Sequence, residues 1–354
     1  MRNSLLFLVL LLFFPLNTFA QESYFYKGYN YGSEAEYNPV NLILNGSFDI
    51  IQLQGHSRNV FKFPYGEGAR NVLRNLGNPF PAIKKDGWNN FLSNEIFPID
   101  FAKKGAQWWP NYQLHLIGGG MTFVAMKEWY EKHNFPDPEL FSLSTMAVYH
   151  LLNEFVENGS YQGENVDPIP DIYVFDIGGI VLFNFKSIDK FFSKTLNLAD
   201  WSLQPSFLVN NHTLQNNGQY FSFKWKLPFL KHWDLFYYCG MNGLIGLSYK
   251  KKDGEAFSAG AGLRAKNLVT LDESVGKKTI ETTWNVGFFY DINNSLMSSL
   301  FVSGLTDYRI DLNLYPGIIK IGQFSPGLWC VDKDDGHLMF GISTVWTPGI
   351  AFDK

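Results

Sequence analysis

From residue 201 to the end of the chain, apolar and polar positions alternate. In Tyr220–Leu227, Phe221, Phe223, Trp225 and Leu227 alternate with Tyr220, Ser222, Lys224 and Lys226. In Ala256–Arg264, Phe257, Ala259, Ala261 and Leu263 face one way; Ser258, Gly260, Gly262 and Arg264 face the other. Trp284, Val286, Phe288 and Tyr290 alternate with Asn285, Gly287, Phe289 and Asp291, and Tyr308, Ile310, Leu312 and Leu314 with Arg309, Asp311 and Asn313. A period of two predicts strands with one apolar and one polar or small face. Turn signals separate the runs: Asn216-Asn217-Gly218, Lys252-Asp253-Gly254, Asn293-Asn294-Ser295 and Asp334-Asp335-Gly336. The runs approach the roughly 9–11 residues that cross a bilayer as tilted strands.

Upstream the pattern changes. Residues 61–200 have a helical texture. Short helical pieces are predicted around Ala69–Leu76 and Gly87–Ile96, split by Pro79 and Pro81. Three longer helices are predicted over 112–132, 139–158 and 169–185. In the second, Phe141, Met146, Tyr149, Leu152 and Phe155 recur at helical spacing, and Gly159 supplies a stop. Residues 21–60 are rich in Tyr and Asn, and Leu42–Leu53 reads as a first strand. Residues 1–20 have the form of a secretory signal peptide: Arg2, the apolar run Leu5–Phe14, then Thr18-Phe19-Ala20 before Gln21. That run is too short to span a bilayer as a helix.

Aromatic residues make up 17% of the 354 positions and charged residues 18%, and mean hydropathy is −0.11. This suits alternating strands better than a polytopic helical membrane protein. Several aromatics sit near strand ends (Trp201, Tyr220, Trp233, Tyr237, Trp284, Tyr308, Tyr315, Trp329 and Trp346), as interfacial girdles would require. The expected fold is mainly β with an α insertion, an antiparallel outer-membrane β-barrel of about ten to twelve strands plus a helical module. Its divisions are 1–20 signal peptide, 21–60 N-terminal segment with the first strand, 61–200 helical module and 201–354 barrel strands. The expected location is the outer membrane. A net charge of −4 excludes binding of nucleic acid by bulk positive charge, so membrane lipid and other outer-membrane proteins are the expected partners. Two cysteines, Cys239 and Cys330, supply neither a disulfide framework nor a four-cysteine metal site.

The chemistry-bearing residues cluster in the helical part. His115 precedes Gly118-Gly119-Gly120; His150, Glu154 and Glu157 share one helix face; Asp167, Asp171 and Asp176 mark the third helix, followed by Gly178-Gly179. Histidine and carboxylate on one face serve as an acid–base pair, as metal ligands, or as a buried network tying helices together. His150 and Glu154 lack the second histidine of a zincin motif, and neither a P-loop, a dinucleotide fingerprint nor a Gly-x-Ser-x-Gly elbow is present. The sequence therefore assigns no metal and no cofactor. The candidates for acid–base chemistry are His115, His150, Glu154, Asp171 and Asp176. The glycines are expected to let the helices approach closely.

The order His115…Gly118-Gly119-Gly120, Glu154…Glu157, Asp167-Pro168-Ile169-Pro170-Asp171…Asp176-Ile177-Gly178-Gly179 resembles the helical segment of an uncharacterised family of exported Gram-negative proteins in which helices precede a β-barrel. It is also similar to the His/Glu/Asp–Gly pattern of VanZ-like and YfiM-like membrane-associated helices. The resemblance implies an envelope protein with a helical module, and no catalytic assignment. Three functions follow as expectations. The first is a barrel with a structural or transport role, the helices packing against it or plugging it. The second is an envelope lipid-modifying enzyme using the His/Glu/Asp cluster. The third is a non-catalytic subunit of a larger outer-membrane assembly.

Overall fold

The computed structural model describes residues 23–98, 109–159, 163–272, 277–345 and 348–354. The leader expected at 1–20 and the aromatic Trp346 lie outside the described residues.

The first half is mainly helical from Ser33 onward. Leu42–Leu53 is not a strand: residues Pro39–Gly46 form helix α1, followed by a 3₁₀ turn at Asp49–Gln52. The local chemistry explains the difference. Asn38 caps the helix by accepting the Asn41 N–H at 2.9 Å, and Pro39 sits in its first turn. Helices α2 (Tyr65–Gly77) and α3 (Pro79–Asp86) follow. Pro79, expected to interrupt a helix, begins one, because proline lacks only an N–H that the first turn leaves unpaired anyway. The three longer helices lie where the periodicity put them. One is a π-helical stretch, Trp109–Gly119, that runs into α4, Gly120–Lys132. The others are α5 (Pro138–Glu157), capped by Asp137, and α6 (Pro168–Leu182). Helix α7, Lys186–Thr195, meets α6 at 80°. Among the described residues no single helix is long and apolar enough to cross a membrane.

Thirteen strands form one sheet: β1 (Ala199–Asp200), β2 (Ser206–Leu208), β3 (Thr213–Gln215), β4 (Phe221–Lys226), β5 (Trp233–Cys239), β6 (Asn242–Lys250), β7 (Glu255–Asp272), β8 (Lys277–Ile292), β9 (Ser295–Ser303), β10 (Ile310–Leu314), β11 (Gly327–Asp332), β12 (Leu338–Ser343) and β13 (Gly349–Asp353). Their order is β1-β4-β5-β6-β7-β8-β9-β10-β11-β12-β13-β2-β3. Every pairing is antiparallel except β13 with β2. The fold is thus mixed α/β, with more helix than a mainly-β reading allows. The β8–β9 turn has Asn293 and Asn294 at φ 53° and 70°, the left-handed pair that a tight hairpin needs.

Directly opposed residues in antiparallel strands share a face, so the register can be followed across the sheet. One row reads Trp225, Leu235, Leu247, Ala259, Phe288, Leu300, Leu312, Cys330, Phe340, Phe352. The row two residues further along reads Phe223, Tyr237, Ile245, Ala261, Val286, Val302, Ile310. These faces are apolar and largely exposed: Ile245 is 64% exposed, Trp225 57% and Phe288 50%. The intervening face carries the polar groups, and they are buried. Asn285, Asp311 and Asn313 are fully buried; Lys224 forms an ion pair with Asp291 and lies over the Trp201 ring at 4.5 Å. Ser258 donates to Ser248 at 2.8 Å, and Asn313 donates to Asp311 at 2.8 Å. Trp201, Tyr220, Phe236, Tyr238, Phe289 and Phe301 fill the rest of that face.

The aromatic residues sort differently from expectation. Trp201, Tyr220, Tyr308, Tyr315 and Trp329 are buried on or beside the polar face, where they pack against each other and hydrogen bond inward. Alternation alone does not reveal that a strand-end aromatic points inward when its neighbours on the same face are small or polar. Trp233 and Trp284 are exposed as expected, and Trp233 heads an aromatic register row with exposed Tyr249 and Phe257 and half-buried Tyr290 along one rim of the apolar face. Trp233 and Tyr249 have ring centroids 5.1 Å apart, and Phe257 stacks on Tyr290 at 4.9 Å. Cys239 and Cys330 are free.

The helices touch the sheet in several places, two of which matter for the site. Leu114 and Ile117 pack with Phe221, Phe223, Tyr237 and Cys239 of the apolar face, and Trp109 donates to the Gly240 carbonyl at 3.2 Å. Residues near α1 reach polar-face groups: Glu36 accepts from Ser343, and Asn45 donates to the Leu203 carbonyl at 3.0 Å.

Candidate functional site

The site begins with a helix crossing. At Gly120 a Cβ would lie 2.6 Å from the Gly179 carbonyl oxygen, and at Gly179 one would lie 2.5 Å from the Leu116 carbonyl oxygen. Only glycine allows this approach, as the two glycine clusters suggested. The crossing holds His115, one turn before Gly118, against α6. Both His115 and Asp171–Asp176 lie in π-helical turns, whose extra residue redirects side chains and which recur at functional sites. Helix α5 completes the site with His150 and, one turn on, Glu154.

All five predicted residues converge. His115 Nδ1 pairs with Asp176 Oδ1 at 2.9 Å, and His115 Nε2 faces Asp171 Oδ2 at 3.9 Å. His150 Nδ1 lies 3.1 Å from the other Asp176 oxygen, outside hydrogen-bond geometry. The two imidazole centroids are 5.8 Å apart. Glu154 accepts from Asn158 Nδ2 at 3.1 Å and groups with Asp167 and Asp171. His150 is buried, stacked on Tyr149 at 4.2 Å. Tyr149 in turn donates to Gln219, which donates to Thr122, so the site is braced from the sheet side.

Sequence reasoning missed Asp49, Asn153 and Asn158. Asn153 bridges Asp49 at 3.1 Å and Glu157 at 3.2 Å. Asn153 and Asn158 stand at i+3 and i+8 from His150, a spacing that could have flagged Asn153; Asp49 comes from the segment read as a strand and carried no such signal.

The charge balance is lopsided. Burial works against a charge on His115, but Asp171 and Asp176 outweigh it and hold its pKa up at about 10. Burial, helped by the neighbouring His115, takes His150 down to about 4 despite Asp176. Burial pushes Asp171 up to about 8, against the pull of His115. Burial and the neighbouring carboxylates Asp171, Asp167, Glu157 and Asp176 push Glu154 well above its ordinary range, and Glu157 moves the same way. Such opposed shifts in one cluster mark acid–base candidates. Among the described residues, two sets offer ligand atoms within 4.8 Å of one another: His115, His150 and Asp176; and Glu154, Asp167 and Asp171. A cavity of about 290 Å³ lies elsewhere, lined in part by Glu34, Lys224, Lys250, Lys251 and Asp291.

Comparison with protein-family models, with curated proteins and with solved structures returns no match to this chain.

Proposed function

We propose that this chain is an outer-membrane β-barrel with a filled lumen that anchors the helical module in the envelope. The observation that carries the reading is the inverted sheet, whose continuous apolar rows face outward while Lys, Asp, Asn and Ser are buried behind them. A water-soluble sheet does the reverse, because each Leu- or Phe-sized side chain loses roughly 1.5–3 kcal/mol when left in water rather than buried.

Closure is part of the same reading. Trp201 N–H donates to the Tyr220 carbonyl at 2.8 Å and Leu203 N–H to that of Gly218 at 3.0 Å. These bonds join the β1–β4 ladder to the β2–β3 ladder, so 199–208 and 213–226 act as the two arms of one hairpin. Taking β1 with β2 and β3 with β4 as single strands turns thirteen strands into eleven and supports closure, since the two ends of the sheet order then belong to one hairpin. A ring of alternating strands with an odd count must contain one parallel contact; β13 with β2 is the one parallel pairing in the sheet. The aromatic row at the rim fits an interfacial girdle.

The buried aromatics on the inward face argue for an anchor and against a wide pore. Membrane fractionation with a heat-modifiable shift on gels tests the barrel, and planar-bilayer recording tests the filled lumen. Recovery as a freely dissolved periplasmic protein overturns the first; steady porin-like conductance overturns the second.

A second reading, an enzyme acting on envelope lipid, is favoured by the convergence of His115, His150, Glu154, Asp171 and Asp176. Its test is mass spectrometry of envelope lipids from strains carrying wild-type or His150→Ala protein, where identical profiles would sink it.

A further inference from the structure

We propose that His115, His150 and Asp176 form a binding site for one divalent transition-metal ion, with Asp171 beside it. This site goes beyond the anchoring reading and does not depend on it.

The inference starts from atoms that protein partners leave unsatisfied. His150 is 5% exposed, yet neither Nδ1 nor Nε2 makes a hydrogen bond. Asp176 Oδ2 and Asp171 Oδ1 are likewise buried without a hydrogen bond, in residues 5% and 7% exposed. A buried, unpaired polar atom costs about 1–3 kcal/mol; His150 Nε2 and Asp171 Oδ1 have no hydrogen-bond partner among the described residues, and His150 Nδ1 and Asp176 Oδ2 face each other at 3.1 Å without hydrogen-bond geometry. His150 also has room: a Cβ at Gly119 would come within 3.5 Å of its Cε1 and Nε2.

The donor set is selective. Two imidazoles and one carboxylate, with ligand atoms within 4.8 Å, are the set that zinc and ferrous sites use with positions left open. Bonds of about 2.1 Å in tetrahedral geometry put ligand atoms about 3.4 Å apart, so from a spread of at most 4.8 Å a contraction of no more than about 1.4 Å completes the site. Calcium and magnesium prefer all-oxygen shells, and two imidazoles disfavour them. A group of carboxylates, Glu154, Asp167 and Asp171, lies beside the site, with Asp171 shared toward His115. Around the ligands, Asp171 Oδ2 lies 3.9 Å from His115 Nε2 and Tyr149 stacks on His150.

The test uses the full chain purified in detergent, stripped with chelator and titrated with Co²⁺, then competed with Zn²⁺. The site predicts one Co²⁺ per chain, visible d–d bands, displacement by Zn²⁺, and an X-ray absorption signature of two imidazole ligands. His150→Ala and Asp176→Asn should each weaken binding at least about 100-fold, beyond the loss of an outer-shell partner. His133→Ala, on the exposed end of α4, should leave binding unchanged. If His150→Ala fails to fold, the imidazole count on the wild-type chain still decides. Sub-stoichiometric uptake by the wild-type chain, a signature with fewer than two imidazoles, or full Co²⁺ binding by a folded His150→Ala chain each overturn the site.

Discussion

Replacing Ile245 with lysine separates a lipid-facing sheet from a water-facing one by magnitude. Ile245 is 64% exposed on the apolar face of β6, four residues from Tyr249 in the aromatic row. Four residues of strand cover about 13 Å, which at a tilt of about 40° is about 10 Å of depth in a roughly 25 Å apolar band. Ile245 therefore lies near mid-depth, and Tyr249 lies at the rim. In lipid, lysine costs about 2–4 kcal/mol at the midplane and about 0–1 kcal/mol near the interface. In water, an exposed substitution of this kind stays within about 0.5 kcal/mol at either position. The assay is urea unfolding of the chain refolded into liposomes, comparing Ile245→Lys with Tyr249→Lys. With urea slopes of about 1–3 kcal/mol per M, the midplane variant should lose about 1–2 M in midpoint and the rim variant little. Equal, near-zero shifts would refute the reasoning, because they would mean that both side chains already look at water.

Other outcomes follow from the same structure. Lys224→Ala leaves Asp291 buried and unpaired beside Trp201 and should destabilise the folded chain by about 3–5 kcal/mol in the same unfolding assay. Gly179→Ala drives a Cβ to 2.5 Å from the Leu116 carbonyl; it should abolish Co²⁺ uptake at the His115 site while the heat-modifiable barrel persists. Burial holds the Glu36 pKa at about 8 against Ser343. Between about pH 4.5 and 8 the folded chain keeps a proton there that the unfolded chain has lost, so Glu36 makes stability fall as pH rises through that window. Glu36→Gln should remove a slope worth on the order of a few kcal/mol across the window, read as the difference between wild-type and variant unfolding midpoints at each pH.

Much of the sheet was legible because period two is local: Asp311 and Asn313 went to one face and Ile310 and Leu312 to the other, as their order implies. The helix bounds were legible for the same reason, from Gly159 and the apolar spacing of α5. The N-terminal segment misled because Leu42–Leu53 fits both periods over so short a run, and the cap at Asn38-Pro39 decided for helix. The girdle misled at Trp201 and Tyr315, which follow strand ends, and at Trp329, which lies inside β11, because position along a strand does not tell which face a ring takes. At the site, residue types and the shared face of His150 and Glu154 could be read from spacing. The π-helical turns that bring His115 to Asp171 and Asp176 could not, because one extra residue in a turn leaves no compositional mark.

The most direct test of the inverted sheet is spin labelling along β7, in a chain with Cys239 and Cys330 replaced by alanine. Labels at Ala259 and Ala261 belong to the apolar face, Ser258 to the polar face, and Asp253 to the turn before the strand. In liposomes, labels at 259 and 261 should be relaxed strongly by oxygen and barely by a water-soluble nickel complex, while the label at 253 shows the opposite. Nickel relaxation at 259 and 261 equal to that at 253 would contradict a face turned toward lipid.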